Sequence, residues 1–146
     1  CGISIDVERV GVIEKLDEET KVLSYESFIE SDEKKKRINA VLNGIKYLSD
    51  YSKQARLLTD FTPDLILAAK QSKYSHRLQK AFEISDESKI NIERFEMIVE
   101  EMKDYSEIYL GLLPGVISNQ DEIKEAANNL NIEMLNPGEV IVKVLL

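Results

Sequence analysis

Two segments near the start of the chain alternate between apolar and polar residues. The first covers residues 3–13 and the second covers residues 22–28, with the polar residues 17–20 between them. Alternation with a period of two is typical of strands that bury one face. Because a short polar turn joins the two segments, we expect them to form a β-hairpin.

The clearest helical pattern follows directly. Ser31 is a favourable N-cap, and Asp32 and Glu33 place negative charge at the positive end of the helix dipole. Apolar residues then recur every three or four positions as far as Ser52 and Ala55, which predicts an amphipathic helix. Its apolar face comprises Ile38, Val41, Leu42, Ile45 and Leu48.

Two later segments have the same helical spacing. One covers residues 93–105, and the other starts at Ser118 or Asn119, either of which can cap a helix. A shorter helix is expected over residues 74–82. The apolar residues that should face inward are Phe95, Ile98, Val99 and Met102 in the first helix, and Ile123, Ala126, Ala127 and Leu130 in the second.

The remaining apolar runs predict further strands. Residues 65–69 and 108–113 have the composition of buried strands, and a turn at Asn136-Pro137-Gly138 precedes a last strand over residues 140–146. The predicted order is β-β-α-β-α-β-α-β, without a linker or an internal repeat. We therefore expect an α/β (α+β) fold, an RRM-like or ferredoxin-like sheet covered by helices, with residues 1–146 in a single domain.

Composition narrows the class of protein. The chain has 146 residues, of which 43% are hydrophobic and 32% charged, as in one ordinary globular domain. One Cys excludes an internal disulfide, and a zinc site is not expected with a single His as well. No apolar run approaches the roughly 20 residues that a membrane span needs. We expect a cytoplasmic protein that binds no membrane and no cofactor.

The charge is divided along the chain. The net charge of −8 argues against a surface that binds nucleic acid everywhere. Residues 1–30 have a net charge of −5, residues 31–80 a net charge of +6, and residues 81–146 a net charge of −9. This division fits either one positive face on an acidic body or a solvated, lysine-rich helix surface.

The first residues raise the question of a nucleophile. Cys1-Gly2-Ile3 resembles the start of class II glutamine amidotransferases, in which a terminal Cys attacks the substrate and its own amine is the base. The arginine- and asparagine-bearing loops of those enzymes have no match here. Since a strand-like pattern starts at once and Cys1 is not an initiator Met, we expect the sequence to be part of a longer protein.

Other candidates for catalysis are few. His76 lies among Lys73, Tyr74, Arg77 and Lys80, and the nearest acids have no motif spacing to it, which favours a surface histidine over a general base. A phosphate-binding P-loop is also missing from the sequence. We therefore predict that the protein is not an enzyme.

Three polar residues near the predicted end of the first helix are the strongest binding candidates. Arg56 lies eighteen residues after Ile38, which is five turns of an α-helix, so it should point in the apolar direction, and Lys53 lies one turn earlier. Such cations either extend past the core edge near the helix C-terminus or meet an anionic ligand. If they hold phosphates, Gln54 can add a hydrogen bond to a sugar or a base.

Several segments together resemble a known family. They are Ile5-Asp6-Val7-Glu8-Arg9-Val10-Gly11, Lys36-Arg37-Ile38, Ser52-Lys53-Gln54-Ala55-Arg56, Pro63-Asp64-Leu65-Ile66-Leu67-Ala68-Ala69 and Tyr109-Leu110-Gly111-Leu112-Leu113-Pro114-Gly115. In this order they resemble the DevR family of CRISPR-associated proteins in the RAMP superfamily, the backbone subunit of the Cascade complex. The resemblance covers about residues 3–117.

The resemblance implies an RRM-like core that polymerises along a CRISPR RNA. The partners it implies are this RNA, copies of the chain itself, other Cascade subunits and, through the RNA, target DNA. The subunit would grip the RNA backbone largely without regard to sequence and present bases for pairing in antiviral defence. By the same resemblance, Lys53, Gln54 and Arg56 would lie near the RNA path.

Two alternatives from other classes stay open. One is a small α/β enzyme, amidotransferase-like, with Cys1 as N-terminal nucleophile. The other is a non-catalytic protein-interaction domain, because an acidic exterior also suits protein partners.

Overall fold

The computed structural model describes residues 2–48 and 61–145. Five strands lie in these residues: β1 (Val12–Leu16), β2 (Leu23–Ser27), β3 (Leu65–Gln71), β4 (Ser106–Leu112) and β5 (Glu133–Leu135). The same residues contain four α-helices: α1 (Ser31–Lys46), α2 (Ile92–Met102), α3 (Gln120–Asn129) and α4 (Pro137–Val144). Short 3-10 helices, Arg77–Lys80 and Lys103–Tyr105, precede α2 and β4.

Strands β1 and β2 form the predicted antiparallel hairpin, paired from Val12 with Ser27 to Leu16 with Leu23. The prediction that the first strand begins at residue 3 is wrong, because residues 7–11 form a turn. The carboxylate of Asp6 accepts the backbone N–H groups of Glu8 and Arg9, and Gly11 has a φ of +74°. A side chain that bonds the backbone in this way favours a turn over a strand.

The second sheet has the order β3-β4-β5. β3 and β4 are antiparallel, with Leu65 opposite Leu112, whereas β4 and β5 are parallel, with Tyr109 opposite Glu133. Alternate residues of a strand face opposite sides of a sheet, so each side needs its own cover. The described part of the chain supplies helices on both.

One side of this sheet carries the main hydrophobic core. Helices α2 and α3 pack here through the apolar stripes predicted from their spacing. The buried residues of this core include Phe95, Ile98, Val99 and Met102 from α2, Ile123, Ala126 and Ala127 from α3, and Leu110 and Leu112 from β4.

The other side is covered by α4, in which Val140 and Ile141 are buried. Helix α1 packs in turn against α4, and Ile38 is its buried residue. The prediction of a last strand over residues 140–146 is therefore wrong where the structure describes it. Asn136 and Glu139 form a capping box, in which each side chain bonds the other's backbone, and Pro137 starts the helix.

The predicted fold class is confirmed: the chain is a mixed α/β protein of the α+β type, in which helices cover a sheet. In the described ranges its strands form two small sheets, of two and three strands.

Candidate nucleic-acid interface

The predicted RNA-binding residues Lys53, Gln54 and Arg56 lie outside the described residues. The described residues on either side of them are in contact. Phe61 donates its backbone N–H to the carbonyl oxygen of Leu48 at 3.2 Å. Leu48 and Phe61 therefore lie at one place in the fold.

That place lies where β3 starts and β4 ends. Leu113 donates its backbone N–H to the carbonyl oxygen of Asp64 at 2.9 Å, just before β3 begins. The end of α1 is also close to the start of α4, because a Cβ atom at Gly138 would lie 3.5 Å from Cε of Lys46. We call Leu48, Phe61, Asp64 and Leu113 the junction.

The junction brings together two of the segments that carry the family resemblance. Residues 63–69 include the start of β3, and residues 109–115 include the end of β4, so the two run side by side. Residues 5–11 lie elsewhere, because Lys34 near the opposite end of α1 donates to the carbonyl oxygen of Glu8 at 3.1 Å.

Gly111 explains how closely α4 approaches the sheet. A Cβ atom at this position would lie 2.7 Å from Cγ2 of Ile66, 2.7 Å from Cα of Pro137 and 2.9 Å from Cγ2 of Val140. A Cβ atom less than 3.0 Å from backbone atoms cannot be accommodated by a movement of side chains alone. A side chain at position 111 would therefore push α4 away from the sheet. The glycine thus positions the start of α4 beside the junction.

The distribution of unpaired cations follows the division of charge in the sequence. Of the 17 described Lys and Arg residues, nine form ion pairs with described carboxylates. Eight have no such partner within the described ranges, and seven of these eight lie in residues 34–80. They are Lys34, Lys35, Lys36, Lys46, Lys70, Lys73 and Lys80, with Lys21 as the eighth.

These cations fall into two groups. Four belong to α1, where Lys35 and Lys36 are exposed and Lys46 lies 5.6 Å from the ring centroid of Tyr47. Three follow from the end of β3 onward, and the first of them, Lys70, donates to the carbonyl oxygen of Leu145 at 3.4 Å. Of the cations that lack a carboxylate partner, Lys46 is therefore the one at the junction end of α1, whereas Lys34, Lys35 and Lys36 lie at the other end of α1 and Lys70, Lys73 and Lys80 lie at or beyond the far end of β3.

The segment after β3 also carries His76, which is exposed. Its Nε2 atom lies 3.0 Å from the hydroxyl oxygen of Tyr74. The ring is thus partnered by a phenol, whereas an oriented general base would usually be paired with a carboxylate. The sequence analysis names Tyr74 only as a neighbour of His76. Its position in the sequence is nevertheless informative, because Tyr74 is an aromatic residue within residues 70–80, which contain four cations and no carboxylate.

A concave region of about 350 Å³ lies between the starts of β4 and β5 and includes Lys103, Glu107 and Glu133. Lys103 pairs with Glu100, Glu133 pairs with Lys143 at 3.0 Å, and Glu107 accepts a hydrogen bond from the hydroxyl of Tyr109 at 3.3 Å. Each of these charged groups thus has a partner, and the region lies at the opposite end of β4 from Leu113.

The described residues contain neither a metal-binding cluster nor a membrane-spanning helix. Neither of the ranges 2–48 and 61–145 contains a group of three or more His, Cys, Asp or Glu side chains placed to hold a metal ion. No helix in these ranges is both long and apolar enough to cross a membrane. Cys1, the candidate nucleophile, lies outside them.

Comparison with known proteins adds no assignment: no protein-family model, curated protein or solved structure matches the chain.

Proposed function

We propose that this chain is a CRISPR RNA-binding backbone subunit of a type I Cascade effector complex. In this role it grips the RNA backbone and presents it for pairing with target DNA, in contact with copies of itself and with other subunits. The observation that carries the proposal is that, of the eight described cations without a described carboxylate partner, seven lie in residues 34–80, in a protein whose net charge is −8.

Physical chemistry supports this use of the cations. Binding to phosphates gains free energy from released counterions, and it needs Lys and Arg side chains that protein carboxylates do not already neutralise. Outside residues 34–80, every described cation except Lys21 is paired with a carboxylate. The described cations that remain available to attract RNA therefore lie mainly in residues 34–80.

The family resemblance is a second support, because it places Lys53, Gln54 and Arg56, which lie within the same basic range, near the RNA path.

The test is the RNA affinity of the natural protein after substitution of Lys53→Ala or Arg56→Ala. We expect each variant to bind two unrelated single-stranded RNAs about tenfold more weakly, because a charge-assisted contact to phosphate is lost. The slope of log affinity against log salt should fall by about 0.7 for each phosphate contact removed.

Lys21→Ala is the matched control, since Lys21 is exposed and has no carboxylate partner among the described residues but lies in the acidic residues 1–30. It should leave the affinity and the salt slope unchanged. A loss that depends on RNA sequence, or equal losses for Lys21→Ala and Lys53→Ala, would contradict the proposal.

A further inference from the structure

The segment between β3 and the 3-10 helix Arg77–Lys80 presents an exposed aromatic ring. Tyr74 is 79% exposed, more than any other large hydrophobic residue that the structure describes. An isolated exposed tyrosine needs no explanation. This one lies among cations, and its ring is held in place.

Hydrogen bonds fix the segment at both ends. Ser72 donates its backbone N–H and its hydroxyl to the carbonyl oxygen of Tyr105, at 2.9 and 3.2 Å. Arg77 donates its backbone N–H to Oγ of Ser75 at 3.3 Å. The loop that carries Tyr74 is therefore ordered by the neighbouring β4 region and by its own side chains.

The ring of Tyr74 has one defined neighbour. Its centroid lies 4.9 Å from that of His76 in an edge-to-face arrangement, with 77° between the ring planes. The hydroxyl oxygen is 3.0 Å from Nε2 of the same histidine. These contacts orient the phenol while most of its surface stays exposed to solvent.

Two acidic residues close to this segment are already paired with arginines. Arg77 holds Glu101 through Nε and Nη2, and this hydrogen bonding raises the pKa of Arg77. Glu83 accepts hydrogen bonds from Asn91 and pairs with Arg94, and these contacts lower the pKa of Glu83.

Two lysines at this loop keep their charge available. Lys73 lies 5.3 Å from the ring centroid of Tyr105, and Lys80 ends the 3-10 helix. Neither forms an ion pair with a carboxylate in residues 2–48 or 61–145. Lys73, Tyr74 and Lys80 are all exposed residues of this one short segment, and we call them the Tyr74 surface. It combines an oriented aromatic ring with two cations that have no described carboxylate partner.

We propose that the Tyr74 surface is a second contact for single-stranded RNA, in which a base stacks on Tyr74 and the flanking phosphates meet Lys73 and Lys80. Every base has a π-face, so stacking of this kind tolerates any sequence, and Lys supplies the phosphate contacts. The inference rests on the proposed function, and it adds a site that the family resemblance does not assign.

The test compares Tyr74→Ala, Tyr74→Leu and Tyr74→Phe in the natural protein, with an unstructured RNA as ligand. Tyr74→Ala should bind about 5- to 100-fold more weakly, the loss typical of one base–aromatic stack, and Tyr74→Leu should show a similar loss. Tyr74→Phe should bind like the wild type, because the ring is kept. The salt slope should not change in any of the three.

Lysine variants test the phosphate contacts separately. The double variant Lys73→Ala/Lys80→Ala should lower the salt slope by about 1.4 if each lysine meets one phosphate. Tyr25→Ala is the matched control for the ring, since Tyr25 is 52% exposed, its ring centroid lies 4.4 Å from the guanidinium of Arg9, and it belongs to the acidic residues 1–30. It should bind RNA like the wild type.

The outcomes separate the two proposals. If the wild-type protein binds no RNA, both fail. If it binds RNA but Tyr74→Ala or Tyr74→Leu binds equally well, the Tyr74 surface is not a stacking site and the proposed function stands. Equal losses for Tyr25→Ala and Tyr74→Ala would also overturn the inference, and so would an unchanged salt slope in the double lysine variant. Thermal unfolding of each variant shows that its fold is intact.

Discussion

At the scale of single residues, Gly111 has the most demanding environment in the junction region. Its position on β4 is filled from the far side by Pro137 and Val140 of α4 and from the neighbouring strand by Ile66. The resemblance includes Gly111 in a motif, but the sequence does not show why a glycine is needed. The structure supplies the reason, which is the close approach of a helix to the sheet.

Gly111→Ala should destabilise the protein by about 1–3 kcal/mol, the usual cost of overpacking a well-filled site. The reference is Gly44→Ala in α1, where a new Cβ atom would have no neighbour within 4 Å. This second change should stabilise the protein by about 0.5–1 kcal/mol, because alanine favours the helix. Denaturant unfolding measures both, and a Gly111→Ala protein as stable as the wild type would mean that α4 does not lie where the structure places it.

Asn119 shows a limit of reasoning from residue types. The sequence predicts it as a candidate helix cap, and it is the residue before α3, but its side chain does not cap that helix. Instead Oδ1 accepts the backbone N–H of Ile90 and Nδ2 donates to the carbonyl oxygen of Ile90, both at 2.9 Å. Asn119 and Ile90 are 29 residues apart in the sequence. No local sequence pattern therefore predicts this contact.

At the scale of elements, the amphipathic helices were the most predictable part of the fold. The structure places α2 at Ile92–Met102 and buries Phe95, Ile98, Val99 and Met102, as their spacing predicts. In contrast, α1 begins near the predicted position but ends at Lys46, so the predictions of Ser31 as its N-cap and of a helix that includes Leu48 and continues to Ala55 are wrong. The helical phase from Ile38 to Arg56 is therefore interrupted at Tyr47, and α1 buries only Ile38 among its described residues. Spacing determines which residues share a face, whereas the depth of burial depends on what packs against that face.

Helix α4 was predicted as a strand because its apolar residues are nearly continuous. A short apolar run does not distinguish a buried strand from a buried helix. The capping box of Asn136 and Glu139 decides in favour of the helix, and the signal was present in the sequence as Asn-Pro-Gly-Glu. The residues Asn136-Pro137-Gly138 are typical of a turn, but the same residues are also favourable at the start of a helix.

The hairpin of β1 and β2 should respond to pH through Asp17. Its carboxylate accepts the backbone N–H groups of Thr20 and Glu19, and these bonds lower the pKa of Asp17. Because the pKa is lower in the folded state, the carboxylate stabilises the turn above the unfolded pKa, and this effect is lost as the pH falls through the lowered value.

We expect the amide proton of Thr20 to report this titration in NMR spectra, with a midpoint below that of an ordinary aspartate. Asp17→Asn is the control, because it should remove the titration while keeping an oxygen that can accept the bond. A midpoint at or above the ordinary aspartate value would contradict the hydrogen bonding described for this turn.

At the scale of the whole molecule, the sequence predicts the class of the fold and the division of charge. The α+β class is confirmed, and seven of the eight described cations without a carboxylate partner lie in the basic middle. The grouping of five strands into two sheets was not predictable, because alternation shows that a segment pairs but not with which strand. For the same reason the junction, which depends on pairing between β3 and β4, emerges only from the structure.

The most direct test of the central claim is the nucleic acid that co-purifies with the natural protein from its source. We expect short RNAs of uniform length, degraded by ribonuclease and resistant to deoxyribonuclease, that dissociate as the salt concentration rises. Natural protein that carries no RNA and binds none when RNA is added would contradict the claim that this chain is an RNA-binding backbone subunit.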